Sequence, residues 1–325
     1  MTPVRLLALT AVCHIVAVAA VAQPAAGEAS VETEGLAELS AHLTLVRTEL
    51  EFVRREMGRP EHLRSEIRVL GAEARTIFAQ ALTLSRKADR LSFELARQRA
   101  PIPPLPTDPI EINHVPAKVD AVLERVRIVK TELGITEAAP EATGDPTVSS
   151  ADLLRSMLQA SRQLNLLLER RFSSSDVFQQ VTVAISYAAR LLQQFPNAEQ
   201  IPDAPGFERF KRPSDVYLRL LDCFELLGEI ARMSEVSTLD FERHTEGIAD
   251  LTSSDVYDLA SLLVSELAYL DSRVASGKSP INSYYPGRKL PSHTYQRVGI
   301  LKDQLTQLVA LVTTSPGWLT PLMPQ

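Results

Sequence analysis

Two loops in this 325-residue chain concentrate rings, cations and tight turns. One reads Pro205-Gly206-Phe207-Glu208-Arg209-Phe210-Lys211-Arg212-Pro213, the other Tyr284-Tyr285-Pro286-Gly287-Arg288-Lys289-Leu290-Pro291. Each ends just ahead of a helix start, and Lys211 and Lys289 stand 78 positions apart. Arginine beside aromatic rings is the composition of binding hot spots, and cations with exposed rings grip anionic or sugar-like ligands. The plainer reading is that the rings pin each loop to the helices while the cations stay solvated. Trp318, the sole tryptophan, lies in the Pro-rich apolar tail 315–325, which either docks on the helices or enters a partner's groove. The candidate binding surface is therefore Phe207, Arg209, Phe210, Lys211, Tyr284, Tyr285, Arg288, Lys289 and Trp318.

Catalytic chemistry has little to stand on. Histidines occur at 42, 62, 114, 244 and 293 beyond the leader, scattered rather than paired as Glu-x-x-His ligands would be. Glu242, His244 and Glu246 alternate, so their side chains do not converge on one ion. There is no Gly-rich phosphate loop and no Gly-x-Ser-x-Gly elbow. Glu225 and Glu266 fall off the apolar stripes and read as solvated, and Cys223 falls on one and reads as a small core residue. No metal, cofactor or nucleophile with an adjacent base is expected, so an enzyme ranks behind the other readings.

The elements that position the loops are helices with a recurring start. Ser214-Asp215-Val216-Tyr217 recurs as Ser175-Asp176-Val177-Phe178, as Ser254-Asp255-Val256-Tyr257 and, altered, as Ser292-His293-Thr294-Tyr295; the third residues lie 39, 40 and 38 apart. Spacing of that order marks a repeat architecture. Ser149, Ser173 and Thr252 stand three residues before Asp152, Asp176 and Asp255 as reciprocal caps, and Pro116, Pro213 and Pro291 open other helices at the first helical position. After each start, apolar residues step by 4, 3, 4, 3, as in Val256, Ala260, Leu263, Leu267 and Leu270. Such a seam must be buried.

The expected fold is an all-α helical repeat or bundle of about eight heptad-patterned helices with long connecting loops. Its first helix (Leu36 to Met57) and second (about Glu61 to Gln98) read as a coiled-coil-like antiparallel hairpin turning at Gly58-Arg59-Pro60, unless either helix pairs with a second copy of the chain. Residues 23–134 hold this hairpin, a Pro-rich strap (Ala100 to Val115) and a third helix. Residues 135–148 read as a linker, and 149–314 as a five-helix repeat bundle whose first two helices, on a short connection, run antiparallel. The later loops are long enough to return a whole helix length, about 30 Å, so parallel neighbours are open beside antiparallel ones.

Residues 1–22 read as a signal peptide: Arg5, an apolar run, then Ala20-Val21-Ala22. Its removal leaves one cysteine, which excludes a disulfide scaffold. It also leaves 33 Lys and Arg against 40 Asp and Glu, a net charge of −7 that argues against nucleic acid as the partner. No later stretch is long and apolar enough for a membrane span. The expectation is an exported, periplasmic or secreted scaffold or interaction protein of the bacterial cell envelope, with a protein partner. The alternative is a periplasmic receptor holding a small ligand at the two loops.

Overall fold

The computed structural model describes residues 26–60, 69–99, 110–241, 248–274, 287–315 and 317–319, with side chains described from residue 33 onward. The expected leader, Tyr284, Tyr285 and the Glu242–His244–Glu246 group lie outside them. The described chain is an all-α bundle of eight helices: α1 (Ala26–Glu56), α2 (Ala74–Ala96), α3 (Pro116–Glu132), α4 (Ser150–Leu167), α5 (Ser174–Leu192), α6 (Pro213–Met233), α7 (Ser253–Val274) and α8 (Pro291–Thr314). Two short strands, β1 (Val69–Leu70) and β2 (Asp240–Phe241), pair antiparallel, with Val69 opposite Phe241. None of the described helices is long and apolar enough to cross a membrane.

Residue pairing across helices gives their directions. Between α6 and α8, Arg219 donates to the carbonyl of Tyr295 and Lys302 pairs with Asp222, while Thr313 meets Met233 farther along. Both numbers rise together, so these helices are parallel. The same holds for α5 and α7, where Ser174 meets Ser253, Gln180 meets Tyr257 and Arg190 meets Asp271. It holds again for α5 and α8, through Thr182 with Arg297 and Ile185 with Gln304. In the first half, α1 and α3 meet at His42–Asp120 and Glu49–Lys130, and α2 and α4 at Lys87–Asn165 and Arg90–Arg170. Lys118 over the Phe78 ring and Arg125 with Asp89 align α3 with α2.

Each half is thus a bundle of four parallel helices, and each has the same order around the ring, α1–α3–α2–α4 and α5–α7–α6–α8. Their buried seams correspond position by position. Leu39, Leu43, Val46, Leu50 and Val53 stand 138 residues before Val177, Val181, Ala184, Ala188 and Leu191. The seams of α2 and α6 are offset by 139 (Ile77 to Val216), α3 and α7 by 137 (Val119 to Val256), and α4 and α8 by 141 (Leu153 to Thr294). The halves dock antiparallel through α2 and α7, since Thr76 meets Glu266 while Lys87 meets Asp258.

Parallel order explains the loops. A chain that must start its next helix at the same end has to travel back one helix length. The segment 193–212 does so along α8: Gln304 donates to the Gln200 carbonyl, Gln296 to the Pro205 carbonyl, and Pro205 lies against Gly299, where any added Cβ would clash. The first seam residues, at 39, 77, 119, 153, 177, 216, 256 and 294, are separated by 38, 42, 34, 24, 39, 40 and 38. The one short step, 24, is the step between halves, where direction reverses and no return is needed.

Three expectations about the first half are corrected. α1 and α2 form no hairpin: they are parallel and diagonal in the ring, and α2 begins at Ala74, after β1. The seam reports that a face is buried but not what covers it, and α3 and α4 cover α1. That seam is therefore occupied within the chain and is not free for a second copy. Residues 135–148 are not a free linker: Glu137 pairs with Arg55, and a Cβ on Gly144 would strike the Ala37 carbonyl, so the segment lies along α1 as a returning strap. α4 belongs with α1 to α3, and the change of packing partners falls at 168–173. α4 and α5 do run in opposite directions, yet they sit in different halves and do not pack on each other.

The caps form as their chemistry requires. Asp152 and Asp176 accept the backbone N–H of Ser149 and Ser173, whose hydroxyls accept in return, and Asp255 accepts the N–H and hydroxyl of Thr252. The Ser149 bonds hold the Asp152 carboxyl below the usual carboxylate range. Because that value is depressed on folding, its contribution is present above the unfolded value, about 3.9, and is lost as pH falls through the folded one. Asp152 is solvent-screened, so Asp152→Asn should cost about 0.5 kcal/mol at neutral pH. Urea midpoints of parent and variant should converge in acid. Parallel order has a direct check: Ser174→Cys with Ser253→Cys, whose hydroxyl oxygens are 3.3 Å apart, should form a disulfide on oxidation. Antiparallel helices would hold those residues about 30 Å apart and give none.

Candidate functional site

The starting end of the second half is built by one contact repeated three times. The residue just before each N-cap donates its N–H to the serine of a neighbouring helix's recurring start, then lays its side chain on that start's aromatic ring. Lys289 donates to Ser175 Oγ at 2.8 Å and sets its ammonium 5.0 Å from the Phe178 ring centre. Phe172 donates to Ser254 Oγ at 3.2 Å and stacks on Tyr257 with ring centres 4.1 Å apart. Lys211 donates to Ser292 Oγ at 3.1 Å and sets its ammonium 4.3 Å from the Tyr295 ring centre. Ser-x-x-aromatic in these copies is thus a socket for the neighbouring loop. The first turns of the four helices close on a cavity of about 10 Å³ lined by Val177, Val216, Val256 and Thr294, room for one water at most.

These contacts divide the expected binding residues. Lys211 and Lys289 are structural: each is held over a ring, and Glu208, 2.7 Å from Lys211, keeps that ammonium above its ordinary range. Arg209, Arg212 and Arg288 are exposed. Phe207 is half exposed, its ring centre 5.2 Å from that of His293. Phe210 is 93% exposed and has φ of 63°, a left-handed backbone that a bulky residue adopts only when its surroundings impose it. Leu290, the N-cap of α8, is 51% exposed beside them. His293 replaces the capping Asp, its Nδ1 accepting the Leu290 N–H at 3.1 Å. Trp318 is not part of this surface. It donates to Ser234 Oγ at 2.8 Å and packs on Phe195 at the opposite end of the half, and Leu319 is buried, so the described part of the tail, 317–319, is docked.

A second cluster lies between the halves. Lys87 is buried, and its three N–H groups reach Ser161 Oγ (2.8 Å), Asn165 Oδ1 (2.8 Å) and Asp258. Asn165 donates to the other Asp258 oxygen at 3.0 Å. Burial lowers the Lys87 ammonium against the pull of Asp258, and burial likewise raises the Asp258 carboxyl against the pull of Lys87. Every lysine proton has an acceptor, and the adjoining crevice, lined by Arg162, Tyr217, Asp255 and Asp258, has about 20 Å³, a water's worth. The cluster holds the halves together and offers no room for a substrate. Glu266, expected in solvent, is fully buried in the same interface, accepting from Thr76 at 2.8 Å. Its position off the seam is the signal: a charge beside a core stripe faces water only if no second layer covers it. Cys223 is buried, and desolvation pushes its thiol well up.

Set against protein-family profiles, curated proteins and solved structures, the chain matches none of them. The interface cluster makes its own prediction. Asp258→Asn strands a buried ammonium and should cost about 3–5 kcal/mol, whereas Lys87→Met with Asp258→Asn should cost about 1–2 kcal/mol. Urea unfolding of the singles and the double, read as a double-mutant cycle, measures the difference.

Proposed function

We propose that this chain is a non-catalytic interaction protein, an exported helical scaffold of the bacterial cell envelope, that binds its partner through the starting end of α5 to α8. The observation that carries this reading is Phe210: an aromatic ring held almost wholly in water, on a left-handed backbone, flanked by Arg209 and Arg212. Water penalises such a ring and the backbone adds its own cost, so the arrangement is explained by a surface that covers it. The loop is fixed on either side of Phe210 by Phe207 against His293 and by the Lys211 contacts, which pre-organises it for docking. Export and a periplasmic or secreted location rest on the pattern at 1–22 alone.

The receptor alternative asks for a pocket beneath the two loops. Among the described residues the first turns of α5 to α8 close on a cavity of about 10 Å³, and Lys211 and Lys289 are turned to rings of their own chain. The interaction reading is therefore preferred. Phe210→Ala should abolish capture of the partner from envelope extract while leaving the urea midpoint unchanged. Phe210→Gly, which removes both ring and backbone strain, should be equally inactive and at least as stable as the parent. Undiminished capture by either variant would end the proposal. Removal of 315–325 should lower stability and leave capture intact in whatever fraction folds.

A further inference from the structure

Arginine is concentrated at the end of the molecule where α2 and α4 stop and α5 to α8 start. The two halves are antiparallel, so this end gathers the first half's C-termini and the second half's N-termini; Phe172 bonded to Ser254 marks the seam between them. The first half brings exposed Arg97 and Arg99 just beyond α2 and exposed Arg170 and Arg171 in the link to α5. The second brings Arg209, Arg212 and Arg288. Several carboxylates here are engaged: Asp176, Asp215 and Asp255 cap helices, Glu208 pairs with Lys211, and Glu94 accepts from Arg90 and from the Glu169 N–H. Exposed Glu56, Glu132, Glu169, Asp203 and Asp250 stand against these seven exposed arginines, with Arg55 paired to Glu137, in a chain whose net charge is −6. Apolar tips rise among the cations: Phe207, Phe210 and Leu290 from the second half, and Phe93, under the Arg99 guanidinium at 4.2 Å, from the first.

We infer that this arginine-rich end docks onto a bilayer surface bearing anionic phospholipid headgroups. Neighbouring helices stand about 8–10 Å apart, so arginines contributed by both halves are spread over a few tens of Å. The first turns enclose no seat for a peptide side chain. A single acidic segment would reach a few of these arginines, whereas a headgroup layer meets all of them at once. Phenylalanine and leucine tips beside arginine suit the boundary between headgroups and acyl chains, and each cation near an anionic leaflet strengthens binding about fivefold. The inference rests on the interaction reading above and names the surface that end would cover.

The test is flotation of the chain from Gln23, which retains every described residue and removes the apolar leader as a rival anchor. Phosphatidylcholine vesicles are compared with vesicles to which phosphatidylglycerol has been added. Binding should require phosphatidylglycerol, weaken as salt rises, and fall about a hundredfold in Arg209→Ala/Arg212→Ala/Arg288→Ala. Arg232→Ala/Arg273→Ala, in the last turns of α6 and α7 at the opposite end, should leave it within about twofold. Equal binding to both vesicles, or an unchanged triple variant, would overturn the inference. If vesicles are not bound but the parent captures an acidic envelope protein that Phe210→Ala does not, the bilayer inference fails and the interaction reading stands. If neither is bound, both fail.

Discussion

The structure depends on one contact: the residue ahead of each helix start in the second half, locked by its N–H to a neighbour's serine and by its side chain to that neighbour's ring. Three such contacts, at Lys289, Phe172 and Lys211, bring four helix starts to one level. Four aligned helices place their positive ends side by side, which is electrostatically unfavourable. The Asp caps of α5, α6 and α7 lie where they offset it. Once the starts are level, a connection within the half must return one helix length, and the described segment 193–212 does so as a strap along α8.

The halves meet with opposite direction, and that reversal determines where charge is found. α2 against α7 places Lys87 on Asp258 and Thr76 on Glu266, both out of water. A buried pair of this kind contributes little net stability but penalises any other docking, because sliding α2 along α7 would leave a charge unpaired. The same reversal carries the arginines after α2 and α4 to the face that holds the loops before α6 and α8. Neither half alone would have so basic an end. Between the halves Lys87, Ser161, Asn165 and Asp258 bond to one another, and Phe210 and the arginines around it lie outside that interface.

Much of this was legible residue by residue. Cap chemistry is local, so Ser149 with Asp152 and Ser173 with Asp176 fix their helix starts regardless of what surrounds them. The stepping of Val177, Val181 and Ala184, or of Val216, Leu220 and Cys223, places one face of each helix inside, and those residues are inside. The docking of Trp318 was one of two outcomes open to an apolar tail. Lys211 and Lys289 lie over rings of their own chain, and a lysine beside aromatic residues reads the same in the sequence whether its ring partner belongs to a ligand or to the chain.

What the sequence determined by itself was what is set within a few residues: the helices, the capped or proline-led starts of α3 to α8, and the buried seam of each. Only the tertiary structure decided which helix covers which, because an apolar stripe is satisfied by any complementary stripe and carries no address. That is why α1 passes over α2 in favour of α3 and α4, and why Glu266 is buried although it stands off the seam. The near-constant spacing already held the answer to direction. Its meaning emerges only once a second helix is seen beside the first, since a return strap and an idle loop have the same length until one of them is found lying along a neighbour.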